Sequence, residues 1–194
     1  MCARYEYKTL VSDLMEAYDL PEAPALPNQS EIRPTDVAVV VHQDRTTATQ
    51  PWGFQVDWTK QPMINARAET LTEKPTFRPW LQSRCIVPAS AYFEWRTDDL
   101  GKKRKNRIWL PDDSMMSMAG LTDGERFTIV TCTPSRAIEH IHSRMPVVLA
   151  ANDVNCWLSD DPFDQVMSVL QPYGGVITFD EEKPPPPAQQ DLFG

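Results

Sequence analysis

Short apolar runs, cut at close intervals by Pro, Gly, Asp and Ser, fill this chain from Asp36 to Ala150. "DVAVVVH", "RCIVP", "AYFEW", "RIWLP", "MSMAGL", "FTIVTCT" and "MPVVLA" each have the length and the β-branched or aromatic content of a strand. "QPWGFQVDW" reads as a further strand with a turn, and "YGGVITF" as a last one. Helical spacing is rarer. It occurs in "YEYKTLVSDLMEAYDL", where Leu10, Leu14, Ala17 and Tyr18 recur on one face, and in "NDVNCWL" and "PFDQVMSVL". "NARAETLTEKPTFRPWLQ" reads as short helices broken by Pro75 and Pro79, "SRAIEHIH" as a helical turn, and "LPEAPALPNQSEIRP" as a proline-rich loop. Many strands, few helices and no regular strand–helix alternation predict an α+β fold: a mainly antiparallel, barrel-like β core with short helices around it.

The 194 residues suit one domain, expected over 1–179. Beyond it, "DEEKPPPPAQQDLFG" is an acidic patch, four prolines and a short amphipathic end, which together predict an extended tail over 180–194. No apolar run is long enough to span a membrane, and the start lacks a basic-then-apolar secretion pattern. A cytoplasmic address with reduced thiols is therefore expected. The four cysteines show no paired metal-ligand spacing; Cys85 and Cys132 sit in strand-like runs and are expected to be buried thiols. No metal and no cofactor are expected.

A net charge of −8 argues against a nucleic-acid partner, but its distribution softens that objection. Residues from Ala151 onward carry eight acidic side chains and one basic one, so residues 1–150 are nearly balanced. "KKRKNR", Lys102 to Arg107, is the only dense basic run and reads first as a solvated loop between strands, second as a phosphate contact.

Reactive residues collect at four places. "MCARY" sets Cys2 directly behind the initiator methionine, where trimming would leave amine and thiol on adjacent carbons. "NARAET" puts Asn65, Arg67 and Glu69 on alternate positions, one side of an extended backbone. In "ASAYFEWR", Glu94 lies between Phe93 and Trp95, a setting that raises a carboxyl pKa and suits it to proton transfer. In "EHIHSRMPVV", His142 stands just ahead of a strand, beside Ser143 and Arg144. Each has a plain alternative: a frayed terminal thiol, a helix-capping Asn65, a water-facing Glu94, a packed turn histidine.

Taken together, "MCARY", "RPT" (Arg33 to Thr35), "WGF", "NARAET", "RCIVPASAYFEW" and "IHSRMPVVL" resemble the SOS-response-associated peptidase family, the abasic-site processing proteins. The resemblance runs from Cys2 to about Thr178. It implies a protein that binds single-stranded DNA at abasic sites near replication forks, and joins the open sugar's aldehyde to the Cys2 amine and thiol as a thiazolidine. It also implies peptidase and lyase-type activities. By motif match, Asn65 would orient the Cys2 amine, Glu94 would shuttle protons, and His142 would assist sugar-ring opening and reversal. Arg4 and Arg67 would hold phosphates. Pro34, Trp52 and Thr131 would line the DNA groove, with an aromatic face stacked on a base, and Trp58 is a weaker candidate for that task. Ala3 stands where the family usually has glycine, "RPT" where "APT" is usual, and Ser143 where an aspartate is common. The competing readings are a cysteine autopeptidase acting on its own N-terminus, an N-terminal-cysteine amidotransferase, and a non-covalent DNA-binding adapter.

The tail end "QQDLF" separately resembles the pentapeptide by which bacterial repair proteins dock on the DNA polymerase sliding clamp. Leu192 and Phe193 would fill an apolar pocket, with Gln189 and Asp191 as polar neighbours. A monomer is expected.

Overall fold

The computed structural model describes residues 2–26, 30–111 and 114–182. Two sheets pack against each other, and short helices lie around them. Strands are numbered here in chain order. The first sheet runs β15 (Thr178–Glu181), β10 (Lys103–Trp109), β9 (Ala91–Thr97), β1 (Tyr5–Glu6), β2 (Glu31–Ile32), every neighbour antiparallel. The second runs β13 (Met145–Pro146), β12 (Phe127–Cys132), β11 (Met116–Thr122), β8 (Arg84–Ala89), β3 (Val37–His42), β4 (Thr47–Pro51). To it β14 (Val148–Leu149) adds on β11, and β7 (Asn65–Arg67) adds on β12 in parallel. β5 (Phe54–Val56) and β6 (Thr59–Met63) form a separate hairpin. Helices α1 (Val11–Tyr18), α2 (Ala151–Trp157) and α3 (Phe163–Val166) are short.

The α+β, mainly antiparallel expectation holds, but the sheets stay open and do not close into a barrel. Aromatic rings tie them together. Tyr5 of β1 meets Trp52 edge-on at 5.2 Å between centroids, and Trp52 lies nearly parallel to Phe127 of β12 at 6.4 Å. All three are buried, and Trp52 donates its indole N–H to the Ile64 carbonyl at 2.8 Å, so no polar atom of this ring is left wanting. Gly53 follows at φ +119; a Cβ there would stand 2.6 Å from Pro62 Cβ, so only glycine allows the chain to turn from β4 toward β5 at this point.

Several boundaries differ from expectation. The first helix does not reach back to Tyr5: Tyr5 and Glu6 pair with Ile32 and Glu31 on one side and with Tyr92 and Ala91 on the other. Of the expected apolar face, Leu14 and Tyr18 are buried in α1, while Ala17 and Leu10, which caps the helix, stay exposed. The basic run is a strand rather than a loop, because Asn106 and Ile108 turn inward between charged neighbours. The last strand ends at Glu181, past the boundary placed at 179. Cys85 and Cys132 are buried thiols, and burial pushes Cys132 up to about 12. No helix among the described residues is long and apolar enough to cross a membrane.

Candidate active site

Strand pairing fixes the N-terminus in the interior. Phe93 donates its backbone N–H to the Arg4 carbonyl at 2.9 Å, so residues before β1 continue along β9. Cys2 is thereby fully buried, its Sγ 3.7 Å from the Arg4 carbonyl. Burial foremost, with the Glu94 carboxylate nearby, pushes the thiol well above its usual range, so it rests protonated.

Asn65 opens β7, which lies in register with Ile129 of β12. The preceding residue is held twice over: the Ile64 carbonyl accepts from Trp52 Nε1 and from the Ile129 N–H at 3.1 Å. From this anchored position Asn65 Nδ2 donates to the Cys2 carbonyl at 2.7 Å. Its Oδ1 is buried with no partner among the described residues, an acceptor left over beside the cysteine.

Glu94 sits on β9 opposite Asn106, on the same side of the strand as Tyr92. It is 3% exposed, and burial raises its pKa above the ordinary carboxylate value. His142 follows a turn in which its N–H bonds the Ile138 carbonyl at 3.3 Å. Burial lowers its pKa, and its Nδ1 accepts from the Arg144 N–H at 3.1 Å. A neutral imidazole accepting at Nδ1 carries its proton on Nε2. That nitrogen faces Glu94 Oε2 at 3.9 Å, beyond a direct hydrogen bond. The site thus joins a buried thiol, an amide fixed on the same residue's carbonyl, a carboxyl tuned toward neutrality and a neutral histidine. Such a group can exchange protons with a carbonyl substrate.

The proposed DNA contacts divide. Arg67 is exposed and Pro34 half-buried. Arg4 is half-buried over the Trp95 ring at 5.3 Å and pairs with Glu31 at 3.5 Å. Trp52 and Thr131 do not line a groove: both are 0% exposed. Trp52 is part of the aromatic seam, and Thr131 Oγ1 donates to the Ala66 carbonyl at 3.4 Å. Trp58, at the β5–β6 turn, is instead 69% exposed. Gln189, Asp191, Leu192 and Phe193 lie outside the described residues.

Arg144 holds a place the motif reading passes over. It grips Glu69 with both terminal nitrogens, at 2.7 and 2.9 Å, and donates to the Thr131 carbonyl at 2.6 Å. With its own N–H on His142, it ties the turn to β12 and to the segment after β7. Its adjacency to His142, together with Glu69 in "NARAET", is the available signal. Tyr5 and Tyr92 stand inside "MCARY" and "AYFEW" but take no role in the motif reading. Their hydroxyls are buried without a partner among the described residues. Among those residues no cluster of His, Cys, Asp and Glu is fit to hold a metal ion.

The sequence profile of the family described as SOS response associated peptidase (SRAP) matches residues 1–181. The chain belongs to this family. Members similar to it include the abasic site processing protein YoqW of Bacillus subtilis, 34% identical over 89% of this chain and 88% of that one. Another is the abasic site processing protein YedK of Escherichia coli, 29% identical over 83% and 81%. A crystal structure of a Bordetella bronchiseptica protein superposes with a TM-score of 0.81 at 23% identity, covering 94% of this chain and all of that one; at that identity the likeness speaks for the fold alone. The SRAP core of this chain therefore includes Cys2, Asn65, Glu94 and His142 within one matched span.

Proposed function

We infer that this SRAP protein captures abasic sites in single-stranded DNA by forming a thiazolidine on Cys2 once Met1 has been removed. The reading draws on the relatives' names, which specify abasic-site processing, and on one observation here: Asn65 holds the Cys2 carbonyl at 2.7 Å beside a buried Glu94 and a half-buried His142. The freed α-amine, with a pKa of about 7.7–8.0, is substantially neutral near physiological pH and attacks the sugar aldehyde. Nitrogen bonds to the carbonyl carbon, Glu94 relays the protons, and water leaves as the imine forms. The thiol then adds across the imine: sulfur bonds to carbon, and the thiol proton ends on nitrogen. Asn65 fixes the amine's approach, and His142 assists opening of the closed sugar through its Nε2 proton. The net change is aldehyde plus aminothiol giving ring plus water, with nothing oxidised or reduced.

Arg4, Arg67 and Pro34 hold the strand, with Trp58 as its stacking face. The segment beyond β15 docks the protein on a sliding clamp through Gln189, Asp191, Leu192 and Phe193, which brings it to replication forks. Peptidase action in this reading is limited to release of Met1, and lyase-type action to reversal of the linkage.

Abasic oligonucleotide on a denaturing gel tests this directly. Wild type forms a heat-resistant adduct, while Cys2→Ser, which retains the amine, forms at best a labile one. Equal stable yields would falsify the role of sulfur. Intact mass of active protein still bearing Met1 would remove the amine and with it the whole reading.

A further inference from the structure

Three cations from three separate elements converge on one carboxylate beside the active site. Arg33 contacts Glu31 Oε1 through Nη2 at 3.0 Å and Nε at 3.3 Å. Arg4 Nη1 reaches the same oxygen at 3.5 Å, and Lys105 Nζ stands 3.6 Å from Oε2. We propose that Arg4, Arg33 and Lys105 form a phosphodiester subsite for the strand, and that Glu31 occupies it in the free protein as a built-in stand-in for the phosphate.

The geometry supports a site rather than chance surface pairing. Arg33 is held by a tight turn: its N–H donates to Asp36 Oδ2 at 2.8 Å, its carbonyl accepts from the Asp36 N–H at 3.0 Å, and Thr35 takes φ +74. A non-glycine residue keeps that conformation only where its surroundings hold it, so the turn is over-determined. Lys105 is braced by Glu182 at 2.9 Å and lies over the Phe93 ring at 4.1 Å. Arg4 links the subsite to the reaction, because its carbonyl contacts the Cys2 thiol. Glu31 itself is about a third exposed, so an incoming phosphate can displace it without opening the core. Against its partial burial, the Arg33 hydrogen bond and the neighbouring cations hold the Glu31 pKa below the usual value, so it is ionised when DNA arrives.

A carboxylate in a phosphate's place penalises every strand equally and is a gate on binding. The proposal rests on the DNA reading above, and the experiment separates the two. Binding of an undamaged oligo-dT is measured by anisotropy across a salt series for wild type, Glu31→Gln, Arg33→Ala with Lys105→Ala, and the triple variant, each checked for an unchanged melting temperature. Partly exposed ion pairs are worth little individually, so Glu31→Gln is expected to tighten binding about threefold to tenfold. It should also steepen the slope of log affinity against log salt by about 0.7, one additional phosphate neutralised. The gain should vanish in the triple variant. Unchanged or weaker binding by Glu31→Gln overturns the subsite, as does a gain that survives loss of Arg33 and Lys105. A gain seen with inorganic phosphate alone, and not with the oligonucleotide, also overturns it. If no form holds the oligonucleotide, the DNA reading falls and the subsite with it; if all hold it equally, only the subsite falls.

Discussion

Replacing Glu94 by Gln should separate stability from chemistry in opposite directions. The side chain is 3% exposed, and burial raises its pKa, so ionisation is more costly in the folded chain than in the unfolded one. A raised carboxyl pKa contributes stability that is fully present below the unfolded value and is lost as pH rises through the folded one. Every tenfold gain in the carboxylate's proton affinity on folding withdraws about 1.36 kcal/mol once the group is ionised. For a chain of this size each such tenfold gain lowers the melting temperature at high pH by about 3–5 °C. Glutamine keeps the shape and cannot ionise, so the loss should disappear. Wild type should melt progressively lower as pH rises above about 4.5, whereas Glu94→Gln should show a flatter profile and melt higher at pH 8. Adduct formation should fall by about a hundredfold to ten-thousandfold, the usual worth of a general acid–base group. Thermal denaturation across pH and single-turnover gels on one protein batch read both quantities. An unimpaired rate would refute the proton-transfer role, and a melting temperature lowered equally at every pH would refute the desolvation argument.

Other outcomes follow from burial and hydrogen bonding. Trp52→Ala should cost about 3–5 kcal/mol of stability by urea denaturation, since it empties the seam between Tyr5 and Phe127; unchanged stability with lost DNA binding would return Trp52 to the groove. Trp58→Ala should leave stability within about 0.5 kcal/mol and weaken single-strand binding by about 1–3 kcal/mol, measured by anisotropy. Arg84 gives all its donors to the Leu81, Trp157, Ser159 and Asp161 carbonyls and to Gln82 Oε1. Arg84→Met should therefore cost about 3 kcal/mol or more through stranded carbonyls, with no direct effect on chemistry in whatever fraction stays folded. Under brief iodoacetamide treatment, Cys156, the one half-exposed thiol among the described residues, should be alkylated well before Cys2, Cys85 and Cys132, as read by peptide mass.

What the chain discloses on its face is set by how local each feature is. Strands β3, β8 and β12 of the second sheet are apolar runs whose composition alone marks them, whereas β4, "TATQP", and β7, "NAR", carry no such mark. Tyr5 and Glu6 fit a helical spacing equally well; their strand state depends on partners at Ile32 and Tyr92, and nothing near them in sequence carries that. "KKRKNR" misleads for a related reason. Lys103, Lys105 and Arg107 share one side of a strand, and only Asn106 and Ile108 on the other betray the alternation. The reactive group is legible because each member sits in a short motif. The fate of Trp52 is not, since an indole is equally at home in a core seam or against a base, and the deciding fact is an acceptor, Ile64, twelve residues away. Arg144 is hidden by the same non-locality: its partners Glu69 and Thr131 come from other elements.

In the capture proposed above, the resting thiol also bears on the order of bond formation. At neutral pH a fully buried Cys2 sulfur whose pKa burial has raised holds almost no thiolate, whereas an α-amine with a pKa of about 7.7–8.0 is partly neutral. Nitrogen is then the only competent nucleophile when the aldehyde arrives. Imine formation changes the balance, because a protonated imine beside the thiol favours loss of its proton and brings an electrophilic carbon to sulfur with little loss of freedom. Glu94, lifted toward neutrality by its own burial, can accept that proton and return it to nitrogen. Under that proposal, the same desolvation that silences the thiol toward solutes would reserve it for a carbon already tethered through the neighbouring amine.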